Sequence, residues 1–106
     1  MGKKEAIIEG YLVKRAAAQS ILCRKVEWIN RRDAPDRFLA KNGRLCLIEC
    51  KAEGEEPTER QHDELVALRS EGVIAMCVNS RRGADLVIDW LLGFGPLPRI
   101  MEDIVV

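Results

Sequence analysis

Two carboxylates and an amine occupy positions that a single β-hairpin would bring together. The dipeptide Asn42-Gly43 is typical of a two-residue type I′ turn, and apolar residues flank it on both sides. In the register that this turn sets, Asp36 opposes Glu49 on one face, where opposed Cβ atoms lie about 4.5–5.5 Å apart. Lys51 shares that face with Glu49 because side chains alternate along a strand.

This combination is suited to metal-assisted hydrolysis of a phosphodiester. Two opposed carboxylates repel each other unless a cation lies between them, and hard oxygen ligands favour Mg²⁺ or Mn²⁺. An adjacent lysine can stabilise charge that develops on the phosphate, or orient a water molecule. The alternative is structural: Asp36 and Glu49 are then neighbours of solvated Lys and Arg side chains on a surface hairpin.

The surrounding sequence predicts the elements that position these residues. The spacing of apolar residues indicates a first helix over residues 4–18, and a first strand is expected within residues 22–29. A capping box that begins at Thr58 opens a second helix, and Gly72 suits its left-handed end.

The second half of the chain completes the predicted fold. Residues 73–78 form a short apolar run, the pattern of a strand that is buried on both faces. A strand–helix–strand crossover is right-handed, so this strand is expected parallel to residues 45–50. A third helix is predicted over residues 84–92. The sequence therefore predicts one α/β domain over residues 1–106, with a mixed sheet and flanking helices.

Length and composition limit the possible classes. The 106 residues suit one domain, and 47% hydrophobic with 32% charged residues is globular rather than disordered composition. The sequence contains no run of about 18 apolar residues, so no membrane span is predicted. Its start lacks the apolar segment of a secretory signal. The four cysteines contain no CxxC pair, which favours a reducing, cytoplasmic setting.

The zero net charge conceals an asymmetry between the two halves of the chain. Residues 1–51 contain 12 Lys and Arg against 6 Asp and Glu, and the remainder contains 5 against 11. A basic half predicts a positive face for an anionic polymer, unless the two halves interleave in space. The candidate phosphate contacts are Arg31, Arg32, Arg37, Lys41 and Arg44, with Lys25 as a further candidate.

The order of these residues matches a known family. Pro35-Asp36, followed thirteen residues later by Glu49 in Glu49-Cys50-Lys51, resembles the PD-(D/E)xK nuclease motif. Over roughly residues 4–90 the chain resembles the VRR-NUC family, the virus-type replication-repair nucleases. The other landmarks of this resemblance are Ile8-Glu9, Tyr11-Leu12, Arg32, Pro57, Gln61 and Gly72.

The resemblance implies a role for each matching residue of the hairpin. Asp36 and Glu49 would bind the metal, with the backbone carbonyl of Cys50 as a further ligand. Lys51 would be the catalytic lysine. The resemblance also implies a restriction-endonuclease-like core around these residues.

Matches outside the hairpin have alternatives. Gln61 would be the glutamine beside the metal site, but it also occupies the capping-box position, where a structural role suffices. Glu9 would be the acidic residue of the first helix that approaches the metal, although Glu5 is its rival and either residue could simply be solvated. Asp33 stands where the family usually has Gly, and it either adds a carboxylate or caps the turn.

As a function, the resemblance implies a Mg²⁺- or Mn²⁺-dependent DNA endonuclease that leaves 5′-phosphate and 3′-hydroxyl ends. Stand-alone members resemble junction resolvases and form homodimers, so the leading substrate is branched DNA such as a four-way (Holliday) junction. A phage or prophage origin is also implied, and the apolar residues 100–106 suit a dimer interface. The alternatives are a DNA-binding module that docks with partners without catalysis, and a nuclease that nicks or trims flaps. The complete acidic-plus-lysine set favours the enzyme.

Overall fold

The computed structural model describes residues 2–101 of the chain. The four strands form one sheet in the order β1-β2-β3-β4, with two antiparallel pairs followed by one parallel pair. This mixed sheet with flanking helices confirms the predicted α/β fold class. The elements in chain order are α1 (Lys3–Ala18), β1 (Leu22–Lys25), β2 (Arg37–Lys41), β3 (Arg44–Cys50), α2 (Glu59–Ser70), β4 (Ala75–Val78) and α3 (Arg81–Leu92).

The hairpin between β2 and β3 has the predicted turn and register. Asn42 and Gly43 both have positive φ, 50° and 85°, as a type I′ turn requires. The ladder continues to the pair of Arg37 with Ile48. Asp36 directly precedes β2, so the ladder stops one pair short of Asp36 and Glu49, and the same register sets them opposite each other.

The parallel pair of β3 and β4 is joined by α2, as predicted. Leu47 pairs with Ala75, and the capping box at Thr58 opens the helix. Gly72 has φ +87° just beyond the helix end. The strand begins at Ala75 rather than at residue 73, because the backbone N–H of Val73 closes the helix end on the carbonyl of Leu68 at 2.9 Å.

Two other boundaries differ from the predicted ones. The first strand ends at Lys25, not at residue 29, because the chain leaves β2 after the backbone N–H of Val26 bonds to the Asp36 carbonyl at 2.8 Å. The third helix begins at Arg81 rather than at residue 84, because the Ser80 side chain caps it through the N–H of Gly83.

The helices cover opposite faces of the sheet. One core contains α1 and α3 residues such as Ile8 and Ile88 packed on Ile48 of β3. The other core packs Leu65 of α2 against Leu47. Because side chains alternate along β3, Glu49 lies on the α2 face, and its neighbours Ile48 and Cys50 lie on the face of α1 and α3.

The free edge of β4 is met by the end of the described chain. The backbone N–H of Cys77 donates to the Ile100 carbonyl at 2.7 Å, and Met101 forms an isolated parallel bridge with Cys77. The predicted interface segment, residues 100–106, therefore contacts β4 through its first two residues, and residues 102–106 lie outside the described part. Across residues 2–101, no helix is both long and apolar enough to cross a membrane.

Candidate active site

The predicted hairpin residues meet at the carboxyl end of β3. Glu49 is the next-to-last residue of β3. Lys51 follows the strand, and its backbone N–H donates a hydrogen bond to the Val78 carbonyl at 2.9 Å. Asp36 approaches from the start of β2. The N-terminal ends of α1 and α2 flank this edge, since Glu5 acts on Glu49 and Gln61 contacts Lys51.

Glu49 has a strongly perturbed pKa. Burial raises the pKa of its carboxyl to about 7, and repulsion from Asp36 and then from Glu5 adds to this effect. The positive charges of Lys51 and Lys25 oppose the increase in the pKa without cancelling it. The effect of Asp36 on Glu49 is what their predicted opposition entails. A buried carboxyl beside a second carboxylate is a place where an additional cation is stabilised.

Gln61 completes the capping box and also contacts Lys51. Its side-chain oxygen accepts a hydrogen bond from Lys51 Nζ at 3.2 Å. The same oxygen accepts from the backbone N–H of Thr58 at 2.9 Å, which completes the capping box. The start of α2 therefore supports the lysine at the end of β3.

Glu9 is buried in an ion-pair network on the other face of the sheet. Only 5% of the residue is exposed, and its Oε2 atom accepts from Arg37 Nε at 3.0 Å and Nη2 at 2.7 Å. Lys25 Nζ donates to the same oxygen at 3.1 Å. Since Arg37 pairs with Ile48, which faces α1, Glu9 approaches from the α1 side of the sheet, whereas Glu49 is on the α2 side. Glu5, one turn earlier on α1, is the first-helix acid that acts electrostatically on Glu49.

Lys25 connects this network to Asp36. Its Nζ atom lies 2.9 Å from Asp36 Oδ2 and 3.1 Å from Glu9 Oε2. Desolvation lowers the pKa of Lys25, but the hydrogen bonds to Asp36 and Glu9 outweigh it and leave the pKa above its usual value. The amine is therefore a charged ammonium shared between two carboxylates.

The predicted basic residues do not form one patch. Lys41 Nζ donates to the Ser20 carbonyl at 3.1 Å, and the guanidinium of Arg44 lies 5.5 Å from the Trp90 ring centroid. Both are at the hairpin tip, about 17 Å along β3 from Glu49 at the usual rise per residue. Arg37 is 17% exposed in its contact with Glu9.

A second group of arginines lines a groove between the loop after β1 and one face of α2. This groove, which we call the arginine groove, has a volume of about 480 Å³ and is lined by Arg31, Arg32 and Arg60 and by the acidic residues Asp33, Asp63 and Glu64. Arg31 is ion-paired with Glu64, and Arg32 is exposed. The groove adjoins the active site because its loop leads to Asp36 and its helix presents Gln61. Sequence reasoning missed Arg60, although its position directly before Gln61 was the available signal.

Asp33 belongs to the turn before Pro35. Its φ is +62°, a left-handed conformation that Asp and Asn tolerate better than most residues and Gly adopts freely. This conformation explains how Asp can stand where the family usually has Gly. Asp33 also lines the arginine groove.

The donor set of the site fits a hard divalent cation. Asp36 and Glu49 offer carboxylate oxygens, whereas the Cys50 side chain is buried in the core and only its backbone carbonyl is a candidate ligand. Among residues 2–101, no group of three or more His, Cys, Asp or Glu side chains is arranged to hold a metal ion. Two carboxylates suit Mg²⁺ or Mn²⁺, which commonly retain several waters.

Comparison with known proteins identifies the family. No protein-family model matches the sequence. The chain is 36% identical over 75 residues to a protein of Acyrthosiphon pisum secondary endosymbiont phage 1, named "Putative nuclease p44". The alignment covers 67% of this chain and 81% of the phage protein. A solved structure of a VRR_NUC domain superposes with a TM-score of 0.75 at 27% sequence identity. The superposition covers 83% of this chain and 97% of that domain.

The relative and the solved structure support a nuclease as the general function, and the fold has the restriction-endonuclease-like core that the motif implies. Nuclease folds of the PD-(D/E)xK type generally use divalent metals. The ordered motif, the geometry at the end of β3 and both similarities lead to one conclusion. The chain belongs to the VRR-NUC family of nucleases.

Proposed function

We propose that this protein is a divalent-metal-dependent endonuclease that hydrolyses phosphodiester bonds in DNA, with branched DNA such as four-way junctions as its preferred substrate. The observation that supports catalysis most strongly is the pair of carboxylates at the end of β3, with the pKa of Glu49 raised to about 7 and Lys51 on the same face. A solvated hairpin surface would not require this raised pKa.

Each residue of the edge has a defined task in this proposal. Asp36 and Glu49, with the Cys50 carbonyl, would hold Mg²⁺ or Mn²⁺. When bound, the ion supplies Lewis-acid stabilisation of the phosphate and lowers the pKa of water. Lys51, held by Gln61, stabilises the charge that develops on the phosphate oxygens during in-line attack by water. In this proposal the P–O3′ bond breaks and the 3′ oxygen leaves, so the products carry 5′-phosphate and 3′-hydroxyl ends.

First-helix acids have different tasks here. Glu9 is bound to Arg37 and Lys25, so it acts on the site by fixing those cations. Glu5 is the acid of α1 that adds negative charge near Glu49. We assign Glu5, and not Glu9, to the metal side of the site.

The DNA surface that we propose is the arginine groove. In this proposal Arg31, Arg32 and Arg60, which line it, would contact phosphates on either side of the scissile bond. Lys41 and Arg44 at the hairpin tip would reach only more distant phosphates. Such contacts position the duplex without selecting sequence.

A homodimer suits a branched substrate. Two active sites related by a two-fold axis can address two strands of a symmetric junction. Light scattering coupled to size exclusion tests the assembly, and a mass of twice 12.0 kDa is expected. We also place the protein in a reducing, cytoplasmic setting, since its four cysteines form no disulfide within the described residues and three of them are buried in the cores.

The substrate is tested with end-labelled DNA. Four-way junction, flap and linear duplex are incubated with Mg²⁺, with Mn²⁺ or with EDTA, and the termini of the products are mapped. We expect metal-dependent cleavage, fastest on the junction. Faster cleavage of flaps would favour a trimming nuclease of the same fold. Binding of junctions without cleavage in either metal would replace the nuclease with a non-catalytic DNA-binding module.

A further inference from the structure

The carboxylates of Asp36 and Glu9 already share a cation that belongs to the protein. Lys25, the last residue of β1, places its ammonium 2.9 Å from Asp36 Oδ2 and 3.1 Å from Glu9 Oε2. Its side chain is 47% exposed, so the ammonium is accessible from solvent. The predicted metal ligand Asp36 is therefore engaged by an internal cation.

The two partners of Lys25 differ in how well they are compensated. Glu9 is buried and accepts two hydrogen bonds from Arg37, so this pair is balanced without Lys25. Asp36 is 39% exposed and faces the negative charge of Glu49. The charge of Lys25 consequently compensates Asp36, while Glu9 provides a second acceptor on which the ammonium can remain.

We propose that Lys25 is a resident counter-cation of Asp36, which moves fully onto Glu9 when a divalent cation engages that carboxylate. This inference rests on the proposed function, because it takes Asp36 as a metal ligand. In the metal-free protein, the positive charge of Lys25 offsets the repulsion between the carboxylates of Asp36 and Glu49. It also weakens metal binding, since a positive charge at this distance must be displaced and then repels the incoming ion. Lys25 is thus a positioning residue that sets the affinity for the metal.

The test is calorimetric titration of the DNA-free protein with Mn²⁺. Lys25→Met removes the charge and keeps most of the apolar stem, Lys25→Arg keeps the charge, and Lys14→Met removes a charge from an exposed position on α1. We expect Lys25→Met to bind Mn²⁺ about ten-fold more tightly than the wild type. Lys25→Arg and Lys14→Met should stay within about two-fold of it. Unchanged or weaker binding by Lys25→Met would overturn the proposal.

Asp36→Asn separates this inference from the proposed function. If the wild type shows no Mn²⁺ binding that Asp36→Asn removes, the proposed metal site fails, and the inference fails with it. If Asp36→Asn removes binding while Lys25→Met leaves the affinity unchanged, only the inference fails.

A measurement on the wild-type protein covers the case in which Lys25→Met does not fold. The rate of amine acylation at Lys25, normalised to Lys14, is followed by mass spectrometry with and without Mn²⁺. Loss of the contact with Asp36 should raise the Lys25 rate about two-fold or more. An unchanged ratio in protein that binds Mn²⁺ would contradict the displacement.

Discussion

The side-chain oxygen of Gln61 accepts a hydrogen bond from Lys51 Nζ at 3.2 Å and another from the backbone N–H of Thr58 at 2.9 Å. One atom thus connects the proposed catalytic lysine to the first turn of α2. A lysine stem is flexible, and a fixed acceptor restricts where the ammonium lies. The capping box therefore supports catalysis as well as the helix.

Two variants separate these effects. Thr58→Ala and Gln61→Ala each disrupt the capping box and should lower the free energy of unfolding by about 1 kcal/mol, measured by urea denaturation. Gln61→Ala alone releases Lys51. Its single-turnover cleavage rate should fall about ten-fold or more, while that of Thr58→Ala stays near wild type. Equal rates in the two variants would show that the contact with Lys51 has no catalytic effect.

Glu49→Gln should stabilise the metal-free protein at neutral and alkaline pH. The pKa of Glu49 is raised in the folded protein from 4.5 to about 7, so keeping the carboxyl ionised costs stability. The cost is absent below about pH 4.5, grows between pH 4.5 and 7, and is complete above pH 7. A shift of this size corresponds to about 3 kcal/mol.

The measurement compares urea denaturation of the wild type and Glu49→Gln in EDTA from pH 4.5 to pH 8. The stability of the variant relative to the wild type should increase with pH over this range. Glu53→Gln, at an exposed position nearby, is the matched control and should show almost no change. If Glu49→Gln were less stable than the wild type at pH 8, ionisation of Glu49 would not cost the folded protein stability, and the prediction would be wrong.

Glu9→Gln should destabilise the protein by about 3 kcal/mol, because it leaves Arg37 inside the fold without its carboxylate. The double variant Glu9→Gln/Arg37→Met removes both charges and should be more stable than the sum of the single effects implies. Denaturation of all four proteins gives the coupling energy, expected between about 1 and 3 kcal/mol. Strict additivity would mean that the Glu9–Arg37 contact does not contribute to stability.

DNA binding should depend on the arginines of the arginine groove more than on the hairpin tip. In an Asp36→Asn background, Arg32→Ala and Arg60→Ala should each reduce the slope of log affinity against log salt by about one. Lys41→Ala and Arg44→Ala should change it less. Fluorescence anisotropy with a labelled junction measures these slopes. Larger losses at the tip would move the DNA path away from the groove.

The hairpin was predictable because its information is local. Asn42-Gly43 selects one turn type, the turn sets the register, and the register places Asp36 against Glu49. The parallel position of β4 followed from the handedness rule and from the apolar run before Asn79. These features depend on backbone sterics and on strand alternation, which a single sequence displays directly.

The ion pairs were not predictable because they join distant segments. Nothing in the sequence indicates that Glu9 of α1 meets Arg37 of β2, or that Lys25 reaches Asp36. Counting charges grouped Arg37 with Arg44. Alternation leaves both on the face of α1 and α3, but they lie at opposite ends of the hairpin, where Arg37 contacts Glu9 and Arg44 contacts Trp90. The end of β1 was missed because the chain segment that follows it turns at Asn30 and Asp33. These two residues have positive φ, a conformation that glycine usually signals in a sequence.

In the proposed function, the residues at the carboxyl end of β3 hydrolyse DNA with a divalent metal. The most direct measurement compares cleavage of a labelled four-way junction in Mg²⁺ and in Mn²⁺ by the wild type, Asp36→Asn and Lys51→Ala, with Lys14→Met as a charge control. We predict that Lys14→Met cleaves like the wild type and that the two active-site variants lose cleavage by about 10³-fold or more while still binding the junction. Cleavage that persists in Asp36→Asn or Lys51→Ala, or in EDTA, would contradict the account.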